Sequence, residues 1–543
     1  MSYIDLSQKK VFRMVILFIF MIGAIFLTYA YQGSYLEGFS LRYYLARGQN
    51  FLRTGFYYTQ FAVERGEYNL LALVGGGSVT GSNQGKEAHS IPVLLYHGVV
   101  PTTKSAWDVS TGQFKEQMFA LKQAGYQTVG LKELQEFLEG KRKLPAKSFV
   151  LTFDDGRKDS FYNTDAVLQA LNYKAVMFVV TLQSIGPASS KSTYYLSEWE
   201  LERMLKTGRW DIQSHAKLGH TFLPIDASGT LGSFFANKIW IASAGRLETD
   251  AEYASRVTED LNISKNEIQD GLEIPVTSFA FPFGEFGEES GNYLQAKETL
   301  INLVTSIYPL SFYQFRTSDR FSENYPLSKN TASNGGLLIK RLELKASSTV
   351  EGLLEELKQQ TAKSLPFEDI FIDEQGWFQS WGTKERTLNG LRLAAPEDTT
   401  GGAIFLDGSR GWRNYEFHTE INWISGSNVY LWARLQDDNN FTACNFSRTL
   451  VHIEQNYKGQ GRVIRGTYSQ IPGSEGLISL GIRVTGRTVE CLFNNEVILT
   501  SDFLEPSLNF GGIGIKVWSA TPGLSNVFIK NVVVKETEGP EEN

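Results

Sequence analysis

Asp154, Asp155, His215 and His220 are the residues whose types and spacing best suit hydrolysis at a bound cation. Two imidazoles and a carboxylate make a ligand set for a divalent ion that keeps positions open for water and substrate. Histidines five apart do not share one helical face, so Ala216-Lys217-Leu218-Gly219 must curl as a loop, which the glycine permits. Adjacent carboxylates leaving a strand point to different sides, so one can hold metal while the other takes a proton. Alone, Asp154-Asp155-Gly156 would read as a plain turn, and the histidines as two unrelated polar residues. Behind apolar strands that end together, catalysis is the better account.

Those strands are legible as apolar runs alternating with helical patterns. IPVLLY ends on His97, SFVLTF on Asp154-Asp155-Gly156, WDIQS on His215, and TSFAF on Pro282-Phe283-Gly284-Glu285. AVMFVV and LLIKRLEL continue the series, and EYASRVTEDLNISKNEIQDGL reads as a long amphipathic helix. Strand and helix in alternation predict a parallel α/β sheet, closed or nearly closed into a barrel over residues 91–365, with catalytic groups at the strand ends. His97 is assigned to the site on that ground, over plain packing beneath it. For Glu285 and Arg341, a solvated charge or an Asp–Arg pair accounts equally well.

Thr152-Phe153-Asp154-Asp155-Gly156 is identical to the first motif of the polysaccharide deacetylases of carbohydrate esterase family four, the NodB-like deacetylases, and LLYHGV and FPFGE resemble two further stretches of that family. The resemblance covers roughly Ile91 to Leu344. It implies a distorted (β/α) barrel of about seven strands and metal-dependent removal of N-acetyl groups from GlcNAc polymers. The metal would be Zn2+ first, with Ni2+ or Co2+ as alternatives. Carried over, Asp155, His215 and His220 look like the metal ligands, Asp154 like the base, and Pro282, Phe283, Gly284 and Glu285 like a substrate-binding stretch. The histidine spacing and the Pro-Phe-Gly-Glu run are similar to the deacetylases of poly-N-acetylglucosamine exopolysaccharides. The ion would polarise the acetyl carbonyl while Asp154 deprotonates the attacking water and a backbone N–H after the Asp pair steadies the oxyanion. Family members often use a histidine on a late barrel strand as the acid; none lies between His220 and His418 here, which leaves His97 as the stand-in. Two rival readings are a non-catalytic glycan-binding scaffold and a deacetylase of peptidoglycan or an O-acetylated polymer.

The rest of the chain sets the context. A length of 543 residues predicts more than one globular unit. From about Phe367, short β-rich segments separated by polar turns predict a separate all-β sandwich over 366–543, resembling concanavalin A-like or laminin-G-like modules in pattern only. It carries Trp377, Trp381, Trp412, Trp423, Trp432 and Trp518, mostly expected in the core, with one or two exposed as a glycan-binding platform. Cys444 and Cys491 read equally as two strand cysteines or as one bridge. Residues 14–31 are an uncharged apolar stretch behind Lys9, Lys10 and Arg13, read as one transmembrane helix rather than a cleaved signal peptide. Residues 1–13 are then cytoplasmic, 32–90 a stalk and Gly/Ser linker, and the catalytic domain extracytoplasmic. A net charge of −7 with interspersed signs gives no footprint for nucleic acid. The expected partners are a polysaccharide, the membrane, and exopolysaccharide synthesis or export machinery.

Overall fold

The computed structural model describes residues 87–539, apart from residues 187, 188, 190, 191, 289, 315–323, 327–336, 360, 373–375, 469, 470, 472–475 and 503. The expected membrane span and nearly all of the stalk and linker lie outside the described residues. Among the described residues, no helix is long and apolar enough to cross a membrane.

Seven parallel strands close into a barrel: β1 (Val93–Tyr96), β2 (Ser148–Phe153), β3 (Ala175–Val179), β4 (Trp210–Ser214), β5 (Ser278–Ala280), β6 (Leu310–Gln314) and β7 (Leu337–Glu343). Each of β2 to β6 pairs with the next, β6 pairs with β7, and β1 bonds to both β7 and β2, which closes the ring. These runs are near-continuously apolar because both faces are covered. Val93, Val150, Val176, Phe178, Phe312 and Ile339 share one buried cluster, while Leu94, Leu151, Phe153, Met177, Val179 and Ile212 belong to the cluster that packs with the surrounding helices. The long amphipathic helix forms as expected, at α1 (Asp250–Leu272), and Thr249 and Glu252 cap it reciprocally. Sequence patterning does not isolate β6, because it follows a helix (Ala296–Ile307) after only Tyr308 and Pro309.

The C-terminal part is two stacked antiparallel sheets. One has seven strands: β8 (Trp377–Trp381), β9 (Gly401–Leu406), β10 (Asn428–Asp437), β11 (Asn440–Ser447), β12 (Leu450–Tyr457), β13 (Gln460–Tyr468) and β14 (Gly512–Trp518), in spatial order β8-β9-β14-β10-β11-β12-β13. The other has eight strands, seven in its main path and Phe367–Asp369 paired beside it, and includes Tyr415–Ser425 and Asn526–Glu536. Their facing side chains, among them Leu431, Phe446 and Ile515 against Phe417, Ile482 and Val534, make one core. Cys444 on β11 and Cys491 on the opposite sheet form a disulfide with Cα atoms 5.7 Å apart, which decides between the two readings of those cysteines. The six tryptophans divide as expected between a buried majority and a more accessible pair. Trp377, Trp412, Trp423 and Trp432 are buried, and Trp381 and Trp518 are half-buried.

The bridge closes a loop with a sequence separation of 47 between the two sheets. Its reduction is expected to cost the sandwich ~2–4 kcal/mol. Denaturant titrations with and without reductant read this as an earlier sandwich transition beside an unshifted barrel transition; coincident curves would contradict it.

Candidate metal centre

The strand ends deliver the expected residues to one rim of the barrel. His97 follows β1, Asp154 and Asp155 follow β2, His215 follows β4, and a short 3-10 turn at Pro282–Gly284 follows β5. Three non-glycine residues at this rim adopt left-handed backbone conformations: Asp155 (φ 72°), Ala216 (φ 67°) and Phe283 (φ 60°). Each such residue costs on the order of 1–3 kcal/mol and persists only where its surroundings enforce it. The loop between the histidines therefore turns at Ala216, not at Gly219. Gly219 is needed for closeness, since a Cβ there would meet Phe235, Pro282 and Ala216 within 2.8 Å.

Asp155, His215 and His220 converge, with one ligand atom from each all lying within 4.8 Å of one another. His215 Nε2 is 3.6 Å and His220 Nε2 is 3.4 Å from Asp155 Oδ1. His215 Nδ1 lies 2.8 Å from the Ala280 carbonyl, so that nitrogen carries the proton and Nε2 is left as a lone-pair donor. Burial pushes the His215 imidazole down to about 4, which keeps it neutral and able to ligate at neutral pH. Burial alone would raise Asp155. The His220 hydrogen bond and the neighbouring imidazoles outweigh it and hold the carboxyl well below the usual carboxylate range. The neutral His215 imidazole, the His220 ring and an ionised carboxylate fit a divalent cation.

Asp154 does not turn outward. It has no exposed surface and is gripped by the fully buried Arg341 of β7, Nη1 to Oδ1 at 2.6 Å and Nη2 to Oδ2 at 2.7 Å. Of the two accounts open for Arg341, the Asp–Arg pair is the one observed. Burial opposes the charge on Asp154, but the Arg341 guanidinium and the His215 ring prevail and keep its pKa depressed. His215 Nε2 is 3.7 Å from Asp154 Oδ2, so the pair borders the ligand cluster directly.

His97 Nδ1 faces Glu343 Oε1 at 3.4 Å, both atoms buried and neither in a hydrogen bond, and Gln314 approaches Nε2 at 3.4 Å. Sequence reading missed Glu343 and Gln314. The alternation Ile339, Arg341, Glu343 along β7 carried the signal for the first, and the unassigned β6 hid the second. Of the Pro282–Glu285 stretch, only Phe283 is exposed; its ring lies 5.1 Å from that of His220 and 5.3 Å from that of Phe222. Pro282 and Gly284 are buried beneath it, and Glu285 is turned aside to accept a hydrogen bond from Ser233 at 2.6 Å. Glu285 is thus buried and tied to Ser233, while Phe283 is the side chain of this stretch that faces outward. Tyr194, 45% exposed, covers the Arg157 guanidinium and adds a second aromatic face near Asp155.

Residues 141–299 match the family model described as polysaccharide deacetylase. The poly-β-1,6-N-acetyl-D-glucosamine N-deacetylase of Escherichia coli is 28% identical over 186 residues, which is 33% of this chain and 28% of that protein. The enzyme of the same name from Staphylococcus epidermidis is 30% identical over 133 residues, which is 23% of this chain and 45% of that protein. The chain thus spans less than half the length of either relative. A solved de-N-acetylase from Aggregatibacter actinomycetemcomitans has a TM-score of 0.41 at 20% identity, covering 49% of this chain and 98% of that one.

Arg341→Met keeps most of the volume but strands a buried carboxylate. The expected loss is ~3–5 kcal/mol of barrel stability, read by chemical denaturation at neutral pH. Part of it should return as pH falls and Asp154 protonates, because the unpaired carboxyl then titrates above its unfolded value; a pH-independent loss would contradict the pairing.

Proposed function

We propose that this chain, whose residues 141–299 are a polysaccharide deacetylase domain, hydrolyses N-acetyl groups of a GlcNAc-containing polysaccharide. The single observation that carries the reading is the convergence of Asp155, His215 and His220 beside the buried, ionised Asp154. The donor set suits Zn2+ first, with Ni2+ and Co2+ as alternatives. Bound by those three residues, the ion supplies Lewis acidity that polarises the acetyl carbonyl and acidifies water.

The chain's own residues then divide the proton work. Asp154, held ionised and aimed by Arg341, takes the proton of the attacking water. His97, backed by Glu343, gives a proton to the amide nitrogen as the C–N bond breaks. A C–O bond replaces the C–N bond, acetate leaves, and a free amine remains on the sugar. Phe283, beside His220, offers an apolar face to the sugar ring or acetyl methyl.

The same reading places the work outside the cytoplasm, tethered by residues 14–31 and supplied by exopolysaccharide synthesis or export machinery. The Cys444–Cys491 disulfide supports an oxidising compartment.

Asp154→Asn should keep its metal and lower the rate of acetate release from GlcNAc oligosaccharides by roughly 10²- to 10⁴-fold; loss of metal with the rate would move Asp154 into the ligand set. His97→Ala should abolish the alkaline limb of the pH–rate profile at unchanged metal content. An unaltered limb would remove His97 from proton transfer.

A further inference from the structure

An antiparallel sheet with one face on a core ordinarily turns polar residues outward. The seven-stranded sheet does not. Besides its inner face, it carries a second apolar cluster of Ala403, Phe405, Trp432, Leu435 and Ala443, joined by half-buried Phe378, Trp381, Tyr430 and Phe441. Pairing registers set these residues in rows that run across the strands. One row reads Phe378, Phe405, Gly514, Trp432, Ala443, Glu454 and Val463 from β8 to β13. The next reads Trp381, Ala403, Lys516, Tyr430, Asn445, His452 and Gly466, and a shorter third holds Gly401, Trp518, Asn428 and Ser447.

The glycines in these rows make room for the rings. A Cβ on Gly514 would lie 2.7 Å from Trp432 Cε3, and one on Gly401 would lie 2.8 Å from Trp381 Cη2, so both indoles rest down on the sheet rather than standing off it. Beside them runs a polar chain. Asn428 Nδ2 donates to Asn445 Oδ1 at 2.7 Å, and Asn445 Nδ2 donates to Glu454 Oε1 at 2.6 Å. Lys516 Nζ sits 4.7 Å from the Tyr430 ring centre. The face thus alternates aromatic surface with amide, carboxylate and ammonium groups, which matches the apolar C–H faces and polar edges of pyranose rings. Seven strands spaced ~4.8 Å apart give rows about 29 Å long, enough for several sugar rings in series.

We infer that the outer face of the seven-stranded sheet binds an extended polysaccharide strand, the same GlcNAc polymer that the barrel deacetylates, across Trp381, Tyr430, Trp518, Asn428, Asn445 and Glu454. The identity of the polymer rests on the deacetylase reading; the surface itself does not.

The test uses the full-length protein and poly-β-1,6-N-acetylglucosamine in affinity electrophoresis, with acetate release from a short GlcNAc oligosaccharide measured on the same preparations. Trp381→Ala with Trp518→Ala, at half-buried positions, should weaken polymer retention tenfold or more, a change of about 1.4 kcal/mol, while acetate release from the short substrate stays at the wild-type rate. If that variant does not fold, Asn428→Ala with Lys516→Ala reads the same surface. Equal retention of wild type and a folded variant, with acetate still released, overturns the binding face and leaves the deacetylase intact. Retention lost in the variant with no acetate from either protein upholds the face and overturns the deacetylase reading. A wild-type dimer that the variant dissociates, with no polymer retained, makes a second copy the occupant and overturns the proposal.

Discussion

The carboxylate of Asp154 is ionised in a place where ionisation is expensive, and the guanidinium of Arg341 is what makes it tolerable. Burying each charge costs several kcal/mol, so the two stay charged only because the fork geometry satisfies both carboxylate oxygens at once. The partners leave β2 and β7, which are not neighbours: both flank β1. The pair therefore fixes the separation of two strands across a third, at the rim where catalytic groups must be held to fractions of an ångström.

Everything above that pair is ordered by the inward parity of the strands. Val150 and Thr152 on β2 are succeeded by Asp154 just beyond it, as Ile339, Arg341 and Glu343 succeed one another on β7, so the barrel filling passes from apolar to ionic and then to the His97–Glu343 contact. The ligand cluster sits beside this column, Asp155 swung out of the strand direction by its left-handed backbone. Adjacent carboxylates thus acquire different roles through geometry: one is locked under a guanidinium, the other is half-open to histidines. Both are held as anions, by different partners.

The gathering of Asp155, His215 and His220 at one rim, the strand ends and the barrel class were legible because strand termini and apolar runs are local signals. Arg341 was legible only as one of two alternatives, since its partner lies 187 residues away in sequence. The burial of Glu285 was not legible, because FPFGE names a turn without saying which side chain the turn exposes. In the sandwich, β9 begins with Gly401-Gly402, which reads as a turn, and β13 is so exposed that no alternation marks it. The apolar outer face could not be read from any one strand. It exists only once registers align Phe405, Trp432 and Tyr430 across neighbours.

Coupling of the ligand cluster to the buried base is the central claim, and metal stripping tests it most directly. Protein freed of metal by chelation should release no acetate from a GlcNAc oligosaccharide. Stoichiometric Zn2+ should restore the wild-type rate in the native chain but not in His215→Ala or His220→Ala. Full-rate release from the stripped protein, or restoration by Zn2+ in those variants, would contradict the account.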